Sequence, residues 1–595
     1  MARRNKIKMF DSVKSHKWII INGFLMALIV LAPLLLFPFL AGDAYRGINS
    51  ADFGRDEKFY LTRGHEILEG HSLGNAVLRE GKEGQEMQFS YIEYILLKPL
   101  RWLGLSGKSD IVAIYAVHNF VGIFILSLLI YFFVLQLSGE KLLSVAASMF
   151  VIGGSSIVFR KGLFAPESVI YGRAFSPYLG SLFFFLYLNL LLKALYSSGK
   201  KRFTWLAGTA FGFLFYIYFF AWSSAMALNA CLLLIYLFKK NFVNAKKILM
   251  ISCVGALIGS YNLFNMAFFA ASEEGKRLSH FIWNVNSHAP IFSKIGFASL
   301  ILFAVLYFLR RNDKNLEIFL GLILAGWVTL NHQMFTGIII YPPHFYAYFL
   351  TPVFIILGLY LVWSLMGAGW QRKWLFIFLI PLIHANAFVG PYKVSLMSAP
   401  GKLAEQKYGI VLDRLNNDQL PGVVLAADDD ENSYLYTAYT DHDVFWNSTA
   451  ARAYNTLPQR YKDALYVYMF LDKNGRDNFS SYIKNAMADL NRFPNPENVY
   501  LLLEGASSGF DFYTYMYKHG HNDPEILRQR EALIASLASE YEKILKEGYG
   551  IMPLLKKYNV NHVVWDENQN PEWDLSALRD LKEVINNNGL HLYRL

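Results

Sequence analysis

The chain has 595 residues, 54% hydrophobic and 16% aromatic, with only 17% charged, where a soluble protein carries about a quarter charged residues. Lys and Arg outnumber Asp and Glu by 35 to 18 over residues 1–390 and trail them by 21 to 28 over 391–595. The basic excess sits in short connections between apolar blocks, which excludes a nucleic-acid partner and fits the positive-inside rule. Both cysteines, Cys231 and Cys253, lie in apolar blocks, so no disulfide supports the tail.

In chain order, residues 1–17 form a basic start that precedes "IIINGFLMALIVLAPLLLFPFLAG". That stretch is too long for a signal-peptide core and reads as an uncleaved anchor with a cytoplasmic N-terminus. Further apolar blocks fall at about 111–137, 142–158, 176–195, 203–220, 221–238, 248–270, 291–309, 316–340, 346–366 and 374–390, about eleven spans in all within 18–390. The cation-rich "GKKR", "KKNFVNAKK", "RRNDK" and "QRK" all alternate to one side, the cytoplasm. The segment 87–105 carries Glu93, Lys98, Pro99 and Arg101 and is expected to lie in the interface, not to cross. The first external loop then covers 41–110, and the C-terminal region 391–595 lies outside a cell (inner) membrane.

That loop opens with "GRDEKFYLTRGHEILEGHSLGN", Gly54 to Asn75. Helix formers follow Asp56 and Gly70 closes the run, so a helix is expected with Asp56, Tyr60 and Arg63 on one face. A capped, solvated surface helix would look the same, since acids in a first turn suit the helix dipole. About 70 residues is a long connection unless it binds something.

Asp56-Glu57 after a first span resembles the acidic pair of protein O-mannosyltransferases and of the lipid A aminoarabinose transferase, members of the GT-C superfamily of lipid-dependent glycosyltransferases. The run Glu57-x-Phe59-Tyr60-x-x-Arg63 is also similar to a run of oligosaccharyltransferase catalytic subunits, although the Trp-Trp-Asp acceptor motif of that family is missing from the tail. The resemblance is to bacterial members above all, with "NHQMFTGIIIYPPHF" contributing. It implies a polyprenyl-phosphate-linked sugar donor and a lipid, glycan or protein acceptor, met at the outer face of the membrane among its lipids, with inversion at the anomeric carbon.

The residues allow that chemistry independently. A hydroxyl acceptor needs a carboxylate base, for which Asp56 and Glu57 stand first. Asp43 in "AGDAY" is the alternative base, although a cap at the end of the first helix is the preferred explanation of it. A departing lipid phosphate needs cationic donors, and Arg63, Lys82 and Arg173 are the candidates. Tyr60, His65, Glu167, His332 and His344 are candidate substrate-binding groups, the last two because polar side chains at a span boundary mark a site or lumen. A divalent cation, Mg or Mn, would draw on Asp56, Glu57 or Glu167, though no His/Cys cluster has zinc spacing.

Glycines in "GALIGS" read as packing positions between spans. The tail mixes "GVVLAA", "HDVFW", "VYLLL", "HVVWD" and "LHLYR" as strands with "ALIASLASEYEKILKEG" and "MPLLKKYN" as helices, a small α/β domain. "DDDE" at 428–431 reads as a polar loop after a strand. The whole is expected to be a polytopic α-helical membrane enzyme of GT-C type with a C-terminal extracytoplasmic α/β domain. Its rivals are a carrier or assembly partner in polysaccharide export, and an O-antigen ligase or polymerase. A carrier would bring ionisable residues to the midplane, where this chain has few.

Overall fold

The computed structural model describes residues 14–595 except 50–54, 85, 88, 108–109, 161, 174–177, 198–199, 274, 277–283, 368, 419, 428–431, 455, 489–495, 508–518, 521–522, 547–549 and 579. Each of the eleven apolar blocks contains a helix: Lys17–Ala41, Ile111–Ser138, Lys141–Gly153, Tyr178–Tyr196, Lys201–Leu214, Phe219–Phe238, Phe242–Ala271, Lys294–Leu309, Leu316–Leu330, Thr351–Leu365 and Trp370–Glu405. Among the described residues, eight helical segments are long and apolar enough to cross a membrane, while Lys141–Gly153 and Lys294–Leu309 are apolar but shorter. At 1.5 Å per residue these two reach about 20–24 Å, short of the ~30 Å hydrocarbon core. Among the described residues, helices of full crossing length are therefore fewer than the eleven apolar blocks.

Close approach between helices follows from glycine. Gly255 and Gly259 face Phe211 and Phe215, and a Cβ at Gly255 would come within 2.1 Å of the Phe211 ring. Gly208 and Gly212 return the contact against Val254 and Ile258. The small-residue stripe of "GALIGS" is thus a packing seam between Lys201–Leu214 and Phe242–Ala271. The expected boundary at 390 falls inside helix Trp370–Glu405, which carries Pro381, Pro391 and Pro400 and continues past the apolar block.

Two short strands, β1 (Asn284–Asn286) and β2 (Ile338–Ile340), pair antiparallel. The C-terminal region holds a five-stranded sheet of β3 (Val423–Leu425), β4 (Asp443–Val444), β5 (Val560–Asp566), β6 (Lys582–Asn587) and β7 (Leu590–Arg594), in the order β4-β3-β5-β7-β6. β3 lies parallel to β4 and β5, and β7 runs antiparallel to β5 and β6. Four of the five expected strands are present. "VYLLL" instead belongs to helix Pro496–Ala506, where Leu502 and Leu503 are buried. A short apolar run reads alike in either state, and here Pro496 begins a helix. The expected acids at 428–431 lie outside the described residues.

The C-terminal domain is joined to the first loop by one continuous core. Ile48, Ala76, Val77 and Leu78 pack with Tyr434, Tyr436, Val444 and Trp446. Helix Ser433–Tyr439 lies against helix Arg55–Glu69, which also packs on helix Ile92–Trp102. In the last helix Glu93 and Leu97 are buried while Trp102 is 76% exposed. Its 11 residues are too few to cross a bilayer and suit a position along its surface.

Candidate functional site

The loop helix forms where its sequence places it, from Arg55 to Glu69 with Asp56 and Glu57 in its first turn. Gly70 ends it at φ 119°, and a Cβ there would run into the Arg101 guanidinium at 2.3 Å. The helix is not a solvated surface element, because every residue from Leu61 to Leu68 is buried. Its two ends differ in what meets their charges.

At the N-terminal end Asp56 is 54% exposed and receives an ion pair from Arg173, Nη2 to Oδ2 at 2.8 Å. Arg173 is 16% exposed, its guanidinium lies 5.6 Å from the Tyr60 ring centre, and its Nε is buried without a hydrogen-bond partner. Burial works against its charge, but Tyr60 and Asp56 outweigh that and hold the guanidinium above its ordinary value. Tyr348 and Tyr218 lie within electrostatic reach of the same guanidinium. Tyr218 Oη and His344 Nδ1 are 2.6 Å apart, and the rings of Tyr341 and Tyr348 pack on His344. Tyr341 holds φ at 23°, an uncommon setting for a bulky residue. A narrow cleft lies beside this group, lined by Tyr218, Phe220, His344 and Tyr348. Phe184, Tyr348 and Phe349 are shared with a second, almost wholly apolar cleft that reaches Phe133 and Val353.

Glu57, expected beside Asp56 as a second acid, is only 3% exposed and lies near Tyr115 and Tyr178. One residue further on a helix is a 100° turn, enough to carry it from the open face into the protein.

At the other end the charges are enclosed. Arg63 is 1% exposed and clamped between Glu86 (3.0 Å) and Glu93 (3.3 Å), with further bonds to Tyr454 Oη and the Ser90 carbonyl. Lys82 bridges Glu66 at 2.8 Å and Asp443 at 2.6 Å. The expectation that Arg63 and Lys82 hold a donor phosphate meets this burial: their donors already face carboxylates. Arg63 does share Asp56's face, but Glu86, Ser90 and Glu93 close over that part of it.

Burial and neighbouring acids push Glu66 up to about 8, while the same carboxylates keep Lys82 charged against burial. One ammonium thus faces several acids, which raises the proton affinity of Glu66. Burial also lifts Glu86, to about 7, with Arg63 opposing and Glu93 adding to the shift. His65 is 1% exposed. Its Nε2 meets the Gly107 carbonyl at 2.8 Å and its Nδ1 lies 3.1 Å from Glu69, away from the Asp56 group.

Of the other candidates, Asp43 is exposed in the turn Gly42–Ala44 that follows the first helix. Glu167 is half-buried in the loop before Arg173, its backbone against Gly390. His332 binds the Thr329 carbonyl at 2.7 Å and packs on Phe345, one layer behind His344. Among the described residues, the groups of three side chains able to hold a metal are His65, Glu69, Asp441 and Glu66, Glu69, His71. Neither includes Asp56, Glu57 or Glu167, the residues on which a divalent cation would draw. Sequence reasoning missed Tyr218, Tyr341 and Tyr348. Their signal was in "FYIYFFAW" and "IIIYPPHFYAYF", hidden because aromatic residues at span ends ordinarily mark the membrane interface.

No protein-family model matches the chain, and no curated protein matches it. Its structure is similar to the crystal structure of the Archaeoglobus fulgidus oligosaccharyltransferase tethered to an acceptor peptide containing the NVT sequon. That likeness has a TM-score of 0.43 and 13% sequence identity, and covers 98% of this chain and 74% of that one.

Proposed function

We propose that the chain is a membrane glycosyltransferase that moves a sugar from a polyprenyl-phosphate-linked donor to a hydroxyl acceptor outside the cytoplasm. One observation carries this reading: the half-exposed Asp56 carboxylate is held 2.8 Å from a nearly buried Arg173, whose guanidinium lies within electrostatic reach of Tyr218 and Tyr348 in the lining of a cleft. The aromatic and aliphatic part of that lining suits a lipid chain, and His344, Ser181 and Ser224 are its polar groups.

The guanidinium is the phosphate anchor. Its Nε has no partner, and a donor phosphate that accepts from Nε and Nη2 together would displace Asp56. The freed carboxylate then takes the proton of the acceptor hydroxyl as its oxygen attacks the anomeric carbon. The bond from that carbon to the lipid phosphate oxygen breaks, and the phosphate leaves with the electron pair, held by Arg173. Tyr60, Tyr218, Tyr348 and His344 supply hydroxyl and ring donors around the sugar. Glu57, Arg63 and Lys82 have no direct part in this scheme.

Transfer from a polyprenyl-phosphate sugar by purified protein tests the reading. Asp56→Asn should lower the rate by about 10²–10⁴ at an unchanged unfolding temperature, and Asp43→Asn should transfer normally. Full activity of Asp56→Asn together with loss in Asp43→Asn would assign the base to Asp43.

A further inference from the structure

The apolar helix Ile111–Ser138 carries Tyr115 and Asn119 four residues apart, and so on one face. Both are buried, 2% and 3% exposed. Polar side chains in a membrane-spanning helix are costly and are kept where they serve a site. These two lie against the segments that carry Asp56 and Arg173.

Each side chain reaches a backbone carbonyl. Tyr115 Oη donates to the Tyr60 carbonyl, and Asn119 Nδ2 donates to the Gly172 carbonyl at 3.2 Å. Tyr60 supplies the ring that the Arg173 guanidinium faces. Gly172 ends the turn Ile170–Gly172, and its carbonyl belongs to the planar peptide that leads into Arg173. Holding that plane sets the direction in which the Arg173 side chain leaves the backbone. At the other end of the same turn Tyr348 Oη reaches the Ile170 carbonyl at 3.3 Å. Gly64, one turn after Tyr60, leaves the space that Tyr115 fills, since a Cβ there would come within 2.9 Å of the Tyr115 hydroxyl.

We infer that Tyr115 and Asn119 are positioning residues for the donor: from one helix face they fix the Tyr60 ring and the Arg173 guanidinium in the arrangement that receives the phosphate. This rests on Arg173 as the phosphate anchor, as proposed above. In that scheme the ion pair with Asp56 is broken when the phosphate arrives, so the guanidinium needs a support that survives binding. A group ordered beforehand also loses less freedom when its ligand binds.

The chemistry of Asn119 agrees with that role. Its amide donates to Gly172, while its Oδ1 is buried with no hydrogen-bond partner among the described residues. A buried acceptor without a partner costs free energy, so the side chain is held in place for its donor alone.

Full-length protein in detergent, titrated with geranylgeranyl phosphate, provides the test, with geranylgeraniol as the neutral lipid control. Asn119→Ala and Tyr115→Phe should each weaken phosphate binding by about two- to tenfold, the worth of one hydrogen bond. Binding of geranylgeraniol should stay unchanged in both. Arg173→Ala should itself lose at least about tenfold, the worth of a bond to a charged group. In that background neither change should weaken binding further, because both act through Arg173. If Asn119→Ala does not accumulate, Tyr115→Phe carries the test, since it keeps the ring and removes only the hydroxyl. Wild-type phosphate affinity in both variants overturns the inference. So does an equal loss for geranylgeraniol, or a further loss in the Arg173→Ala background, since either shows a general loosening of the helices. Equal phosphate binding by wild type and Arg173→Ala removes the anchor itself, and with it the reading on which the inference rests.

Discussion

The two ends of the helix Arg55–Glu69 carry similar side chains and have opposite fates. At one end a single carboxylate, Asp56, faces a single guanidinium and remains open. At the other, Arg63, His65, Glu66 and Glu69 are enclosed with Lys82, Glu86, Glu93 and Asp443 in a compensated network. A buried charge is tolerated only with partners, so the closed end reports how the loop is fixed to the tail. An open pair with an unpartnered donor beside a cleft is where a ligand finds unused capacity.

Breaking the closed end should have the largest effect. Arg63→Ala leaves Glu86 and Glu93 facing each other without a cation, and removing one partner of a buried pair costs about 3–5 kcal/mol. The variant is expected to show a much lower unfolding temperature, or to fail to accumulate. Normal stability of Arg63→Ala would erase the contrast between the two ends. Arg173→Ala should do the opposite: transfer falls by about 10²–10³, as when one charge-stabilising donor is lost, while thermal unfolding stays close to wild type. Arg173→Lys should recover only part of the rate, because an ammonium cannot reproduce the two-point fork of an Arg on a phosphate.

A smaller effect follows from Glu86. Burial lifts its carboxyl to about 7, above the ordinary value near 4.5, so the folded protein keeps a proton that the unfolded chain releases. The stability tied to that proton is complete below about pH 4.5 and is lost as pH rises through about 7. Arg63 and the Ser90 N–H face the same carboxyl, and Glu93 adds a like charge. The unfolding temperature should therefore fall by about a few degrees between pH 5.5 and pH 8. Glu86→Gln should flatten that part of the profile, and an unchanged slope would remove Glu86 as its source.

Much of the architecture was legible because its signals are local. Continuous apolar blocks located the helices, Gly70 marked the end of the loop helix, and β3, β4, β5 and β7 carried their own β-rich runs. β6, "KEVINN", has a mostly exposed pattern and depends on its antiparallel partner β7, so no apolar run announced it. At the site, helical spacing correctly put Asp56 and Tyr60 together. It had no means of revealing that Glu86, Ser90 and Glu93 cover Arg63, or that Asp443, far along the chain, takes Lys82. Arg173 was visible as a candidate from "IYGRAF", but its bond to Asp56 joins two loops separated by two apolar helices. Charge identity is written in the sequence, whereas the partner that neutralises it comes from long-range packing.

The finest test of the closed end concerns a neutral contact. Thr62 and Thr437 have their Oγ1 atoms 3.0 Å apart, both fully buried, where the loop helix meets helix Ser433–Tyr439. Thr437 also donates to the Tyr434 carbonyl, so the shared hydrogen comes from Thr62. Thr437→Val keeps shape but removes the acceptor, leaving a buried hydroxyl at a cost of about 1–3 kcal/mol. The effect should fall at the low end, since a helical Thr can turn its hydroxyl to the carbonyl four residues back. Removing both hydroxyls in Thr62→Val/Thr437→Val should be less damaging than the sum of the single changes, because no orphan remains. Additive losses in that double-mutant cycle would show that the two hydroxyls do not act as a pair across the joint. The loop would then be held to the tail by its ion pairs and apolar core alone.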